Sequence, residues 1–266
     1  MSTLLVIPAR YASSRYPGKA LVPLTGATGA KKTLIQRSWD AARQVSGIDR
    51  VVVATDDARI RDMAQGFGAE VVMTSDTCEN GTERCAEAHD ALGARFDIVV
   101  NLQGDAPLTP PWFVEALVAE LEAHPTAEVA TPVLRTNGRA LAGFLEDRRA
   151  GRVGATTAVF GIEKQALYFS KEVIPHVTEN FPPDADTPVF HHVGVYAYRP
   201  SALAAYPRWQ AGPLERLEGL EQLRFLERER PVLCVEVDAR GRQFWELNNP
   251  EDVSRIETML AEMGIE

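Results

Sequence analysis

Hydrophobic and polar positions alternate along the first half of the chain in a short, regular rhythm. Residues 4–7 are apolar and predict a buried strand, and residues 34–45 predict a helix. "RVVVAT" (50–55) predicts a second strand. Residues 57–67 predict a helix opened by acidic side chains, which the helix dipole favours at that end. "AEVVMT" (69–74), "FDIVVNLQ" (96–103) and "EVATPVL" (128–134) predict three more strands, with helices expected over 82–92 and 110–123 between them. Strands alternating with helices imply an α/β fold: a mostly parallel twisted sheet flanked by helices.

After about residue 135 the rhythm breaks. "NGRALAGFLEDRRAGRVG" reads as a loop or a weak helix, and "ATTAVFG" and "VFHHVGVYAYR" as strands that extend the sheet or form a flap. The Pro/Asp-rich stretch 180–188 reads as a mobile loop. Residues 214–228 predict one amphipathic helix, "PVLCVEVD" a strand and residues 250–263 a closing helix. There is no internal repeat and no long linker. A single domain over 1–266 is expected, with a nucleotide-binding half (1–135) and a second half (136–266).

Composition narrows the classes. The 266 residues are 45% hydrophobic and 24% charged, ordinary for a globular protein, and the net charge of −9 disfavours a general nucleic-acid binder. Three Cys in no ligand-like spacing, with no signal peptide and no run long enough to span a membrane, lead us to expect a soluble cytoplasmic protein.

Cations on an acidic chain carry more information than the total. Ligands of open parallel sheets bind at the carboxyl ends of the strands. After the first strand come Arg10, Arg15 and Lys19, and after the second Thr55, Asp56 and Asp57. The third is followed by Asn80, Gly81, Thr82 and Arg84, and the fourth by Gln103, Gly104 and Asp105. Cations, backbone amides, a close-approach glycine and a carboxylate suit a nucleoside triphosphate with Mg²⁺. Singly, these residues also read as a solvated loop, a helix cap and an Asx turn; their coincidence at four strand ends favours a site. "GATGAKKT" (26–33) lacks the glycine that a P-loop places before Lys-Thr, and no GxGxxG follows the first strand. Cys78 and Cys85 read as small buried apolar residues rather than nucleophiles.

"IPARYASSRYPGKAL" closely resembles the signature loop of the 3-deoxy-manno-octulosonate (Kdo) cytidylyltransferases, or CMP-Kdo synthetases. "ATDD", "NGTERCAEA", "VNLQGDAPL", "ALYFSK", "HHVGVYAYR", "GPLERLEGLEQLRFL" and "NNPEDV" resemble further blocks in the same order, covering nearly the whole chain. The resemblance implies a nucleotide-diphospho-sugar-transferase-like, Rossmann-like fold with a small sugar-binding and dimerisation extension, and a homodimer. It implies Mg²⁺-dependent transfer of CMP from CTP to the anomeric C2 hydroxyl of Kdo, with pyrophosphate released, for lipopolysaccharide or capsule synthesis. Ala9, Arg10, Asn80, Gly81, Arg84 and Gln103 would hold the cytidine. Arg10, Arg15 and Lys19 would hold the triphosphate and, with Asp105, act in catalysis. Gln103, His192, Tyr196, Tyr198, Glu215, Glu218 and Gln222 would face the acid sugar, and Asp105 and Asn248 the metal.

The chain departs from that pattern at Ala106 (QGDAP for QGDEP), at Thr157 where a Lys is common, and at Asn248 where the family has a metal-binding Asp. Glu246 would restore the charge lost at 248 if the segment is extended and both side chains face one way. The loop 25–33 looks a few residues longer than usual. Glu215, Glu218, Glu221 and Gln222 also fit a solvated helix face, and His192 beside His191 fits core or interface packing. Transfer to another 2-keto-3-deoxy or amino acid sugar, or a CTP-binding regulatory protein with impaired catalysis, are the alternative functions.

Overall fold

The computed structural model describes residues 1–13, 15–93, 95–153, 155–242 and 245–266. In chain order the elements are β1 (Thr3–Ala9), β2 (Pro23–Thr25), β3 (Lys31–Thr33), α1 (Leu34–Ala42), β4 (Arg50–Thr55), α2 (Ala58–Gly66), β5 (Glu70–Met73), α3 (Gly81–Leu92), β6 (Ile98–Leu102) and α4 (Pro111–Ala123). They continue as β7 (Val129–Asn137), α5 (Gly138–Arg149), β8 (Thr156–Phe160), β9 (Ala166–Ser170), β10 (Asp186–His192), β11 (Val195–Tyr198), α6 (Pro200–Ala205), α7 (Pro213–Glu218), α8 (Leu223–Leu226), β12 (Val232–Glu236) and α9 (Asp252–Glu262). The chain divides into two compact units, 1–115 with 239–266, and 116–238. The C-terminal segment therefore belongs with the N-terminal one, and β7 lies wholly in the second unit rather than at a boundary near 135.

The first unit is the doubly covered parallel sheet that the alternating pattern predicts, in the order β5-β4-β1-β6. All seven residues of β1 are buried, as a strand covered on both faces must be. Leu4, Leu5, Val6 and Ile7 are fully buried, each contributing about 1.5–3 kcal/mol of hydrophobic stabilisation. Polar caps set the helix starts: Asp57 accepts from the Arg59 amide at 2.8 Å, and Asn80 from the Glu83 amide at 2.9 Å. The stretch that evokes a P-loop is the tip of the β2–β3 hairpin, whose turn places Gly29 at φ +89°. Leu247 and α9 return to this unit to pack Ile256, Met259 and Leu260 with Leu24, Leu34 and Leu108.

In the second unit β7 pairs antiparallel with β10 and β11 and parallel with β12, while β8 and β9 extend the sheet from β10. "VFHHVGVYAYR" is not one strand. It breaks between His192 and Val195, where the Val195 amide turns back to the Val193 carbonyl at 2.7 Å. The stretch after 137 is a true helix, α5, because Asn137 caps it through the Ala140 amide at 2.9 Å. The Pro/Asp-rich loop is tied to the start of this helix, accepting from the Gly138 and Arg139 amides at Ala185 and Pro183.

The expected helix over 214–228 is a correction. It is two short helices, α7 and α8, because Gly219 adopts φ +62° and its amide closes on the Glu215 carbonyl at 2.7 Å. That left-handed stop costs glycine nothing. The amphipathic periodicity survives across the break, which is why the sequence reads as continuous.

Candidate active site

The loop after β1 folds around one carbonyl. Tyr11 O accepts from the Ser13 amide at 2.9 Å and from the Gly18 amide at 2.8 Å, which closes the loop on itself. Gly18 sits at φ +73° with the Tyr11 ring against it, so a Cβ there would stand 3.0 Å from the ring. The Arg59 guanidinium covers that ring at 3.3 Å and is itself held by Asp57. Lys19 follows at a fixed place and points into the unit rather than into solvent, with a side chain 15% exposed.

Lys19 Nζ meets Asp105 Oδ2 at 2.5 Å and the Leu247 carbonyl at 3.0 Å. The Leu247 amide in turn donates to the Asp105 carbonyl at 2.9 Å. Beside them, Arg15 Nη2 donates to Asn248 Oδ1 at 2.7 Å, and Asn248 Nδ2 to Glu246 Oε2 at 3.3 Å. Burial and the negative charge of Asp105 push Glu246 up to about 7, with the Asn248 hydrogen bond, Lys19 and Arg15 acting the other way. Asp252 fixes the turn: its carboxylate accepts from the Asn248 and Asn249 amides at 3.0 and 2.7 Å and from Trp245 Nε1 at 2.8 Å. Two cations, two carboxylates and an amide thus come together from the β1 loop, the end of β6 and the segment before α9. Among the described residues no three His, Cys, Asp or Glu cluster as a metal cage. Two carboxylates and an amide oxygen do fit Mg²⁺, which takes few protein ligands and completes its shell with water and phosphate oxygens.

The start of α3 forms the adjoining wall. Arg84 is buried, donates to Thr74 Oγ1 at 2.5 Å and to the Ser75 carbonyl at 3.3 Å, and lies 3.6 Å from Asp56. It braces the ends of β4 and β5, a structural part that its position in the sequence did not disclose. Arg10, exposed, reaches the Glu79 carbonyl at 3.5 Å, and Ala9 ends β1. A Cβ on Gly81 would lie 2.7 Å from Gln103 Nε2, and one on Gly104 would lie 2.7 Å from the Pro8 carbonyl, so both glycines permit close approach. Ala106 is buried in the turn, its amide donating to the Gln103 carbonyl at 3.1 Å. Sequence reasoning missed Asn101. It is fully buried at the end of β6 beside Gly81, and neither side-chain polar atom has a partner among the described residues. A polar residue inside the apolar run "IVVNLQ" was the available signal.

Of the residues expected to face the acid sugar, Gln103 lies in the first unit and the others in the second. Tyr196 donates to Gln222 Oε1 at 3.0 Å, while Gln222 Nε2 is buried with no partner among the described residues. Tyr198, fully buried, stacks between Tyr196 and Phe225. Glu218 accepts from Ser170 Oγ at 2.6 Å and from the Lys171 amide at 2.9 Å. Glu215 is held elsewhere: both its oxygens accept from Arg224, each at 2.7 Å. Thr157, where the Lys is absent, donates to the Glu172 carbonyl at 2.6 Å and accepts from the Ile174 amide, so it fixes backbone.

His192 is buried against Phe169 and Tyr196. The Thr131 hydroxyl donates to the Val195 carbonyl at 2.8 Å, so it accepts from His192, which assigns the Nε2–H tautomer at 2.9 Å. Burial, with His191 beside it, holds the imidazole down to about 3. The unfolded chain therefore binds a proton below about pH 6.5 that the folded chain refuses until about pH 3. Stability falls with pH through that window, by up to about 1.4 kcal/mol per pH unit. Melting from pH 7 to pH 4 should lower the Tm of the parent protein more than that of His192→Gln; equal losses would show that the folded chain protonates this histidine as readily as the unfolded chain does.

An α/β fold with cations, carboxylates and close-approach glycines at its strand ends defines a nucleotidyltransferase. A family model described as cytidylyltransferase matches residues 4–232. A 3-deoxy-manno-octulosonate cytidylyltransferase from Maricaulis maris (strain MCS10) is 43% identical over 264 residues, 99% of both chains. The enzyme of that name from Arabidopsis thaliana, described as mitochondrial, is 37% identical over 260 residues, 98% of this chain and 83% of its own. A solved CMP:2-keto-3-deoxy-manno-octonic acid synthetase, complexed with CTP, is 31% identical and covers 99% of this chain and 100% of its own at a TM-score of 0.82. The chain belongs to the 3-deoxy-manno-octulosonate cytidylyltransferase (CMP-Kdo synthetase) family. Among the described residues no helix is long and apolar enough to cross a membrane.

Proposed function

We propose that this chain is a CMP-Kdo synthetase, transferring CMP from CTP to the C2 hydroxyl of Kdo and releasing pyrophosphate. The observation that carries this reading is the network of Lys19, Asp105, Arg15, Asn248 and Glu246, which gathers phosphate-binding cations and metal-binding oxygens within one unit. The sugar oxygen attacks the α-phosphorus, forming an O–P bond as the bond to the pyrophosphate oxygen breaks, and the hydroxyl proton passes to solvent. Mg²⁺ held by Asp105 and Asn248 would neutralise charge developing on the phosphoryl oxygens. Lys19 and Arg15 exchange their present partners for the triphosphate, Gln103, Arg10 and Asn80 orient the cytidine, and the barrier falls mainly through positioning and electrostatics. His192, Tyr196, Gln222 and Glu218 bind and orient the acid sugar, and the enzyme works as a homodimer.

Pyrophosphate release should require CTP, Mg²⁺ and Kdo together. A panel of 2-keto-3-deoxy, amino-substituted and sialic-type acid sugars, ranked by kcat/KM, checks the acceptor. A higher value for another sugar would reassign it. Calorimetric CTP binding with no turnover on any sugar would replace the enzyme reading with a regulatory one.

A further inference from the structure

Position 248 carries an amide, so Asp105 with Asn248 alone would bring one negative charge to a divalent cation. A second carboxylate stands beside them. Leu247 is buried in the core, and its amide and carbonyl are both used, by the Asp105 carbonyl and by Lys19. That anchors the backbone between 246 and 248 against residue 105. The two flanking side chains meet on one side of it, where the Asn248 amide donates to Glu246 Oε2 at 3.3 Å. Glu246 feels the charges of Asp105, Lys19 and Arg15, which places it in the same cluster. Asp252 is already committed to the Asn248 and Asn249 amides and Trp245, so it is spent on holding the turn.

We propose that Glu246 supplies the second carboxylate of the divalent-cation site, giving the charge that Asn248 lacks, with the Asn248 amide oxygen as a neutral neighbour. This rests on the metal reading of the proposed function. Arg15 holds that amide oxygen and Lys19 holds Asp105, so a cation meets the site fully only when a triphosphate draws both away. Metal and nucleotide binding are therefore coupled.

The test uses Mn²⁺ and the full-length protein without acceptor sugar. CTP is titrated by calorimetry in Mn²⁺ and again in EDTA, and the ratio of the two affinities is the metal-dependent part. Losing groups that merely support a metal's ligands costs roughly 10–100-fold. Glu246→Gln is therefore expected to lose at least about tenfold of that ratio, with binding in EDTA not weakened. Adding Asn248→Asp to Glu246→Gln should restore most of it. If Asp105→Asn loses the ratio and Glu246→Gln keeps it, the assignment of Glu246 is wrong and the metal reading stands. Equal weakening of Glu246→Gln in Mn²⁺ and EDTA would mean a structural part only, and overturns the assignment. If the parent protein shows no metal-dependent gain, or Asp105→Asn leaves it intact, the metal reading fails and this assignment with it.

Discussion

Asp105→Asn should lower pyrophosphate release by about 10²–10³-fold, the scale of removing one preorganised electrostatic group from an active site, while leaving the fold intact. Asn keeps the size and the backbone carbonyl that holds the Leu247 amide, so the turn before α9 has no reason to move. The loss is electrostatic. The proposed metal site would be left with one fewer carboxylate, and the Lys19 ammonium, 2.5 Å from the lost charge, would face a neutral amide. Lys19 is freed to bind phosphate in the ground state as well as the transition state, so kcat is expected to fall more than KM rises. A steady-state assay beside a thermal melt checks this. Full activity would remove Asp105 from the reaction, and a collapse of the melt would make the loss one of folding rather than electrostatics.

Glu215→Ala should cost about 3–5 kcal/mol of stability, which is the usual penalty for stranding a buried charge. Its partner Arg224 has a side chain only 2% exposed, pairs with both carboxylate oxygens and lies 4.2 Å over the Tyr206 ring. Burial keeps bulk solvent from replacing the lost carboxylate. Against a typical total of about 5–15 kcal/mol, the loss is large. Replacing both partners by Leu should recover much of it, because an apolar pair leaves nothing unsatisfied. Chemical denaturation of the single and double variants measures the difference. If Glu215→Ala is as stable as the parent and raises only the KM for the acid sugar, the sugar role implied by the resemblance is the right one.

The parallel half of the fold was legible because buried strands such as 4–7 and 50–55 must be continuously apolar, and because Asp57, Asn80 and Pro111 mark helix starts with side chains whose chemistry is local. What periodicity cannot report is a turn made of backbone. Gly219 divides α7 from α8 without disturbing the spacing of apolar residues around it, and the break at Val193 divides β10 from β11 in the same silent way. In the site, Lys19, Asp105 and Asn248 could be named from their strand ends and from the resemblance. Who pairs with whom could not, because it depends on contacts between residues more than 80 positions apart, as for Lys19 with Asp105 (|i−j| 86) and Arg15 with Asn248 (|i−j| 233). Arg84 and Glu215 show the limit: a charged residue in a family block gives no sign in the sequence of the buried partner it meets in the fold.

The return of residues 239–266 to the first unit has a consequence for synthesis. Glu246 and Asn248 are translated after every residue of the second unit, so a nascent chain can complete the parallel sheet long before it owns a finished site. Until then the Lys19–Asp105 pair lacks the Leu247 peptide that ties it down. A chain clipped before residue 246 would lack Leu247 and α9, and so the apolar partners of Leu24, Leu34 and Leu108 as well as the peptide that holds Lys19. On the proposed reading, activity is in this sense a property the protein acquires last.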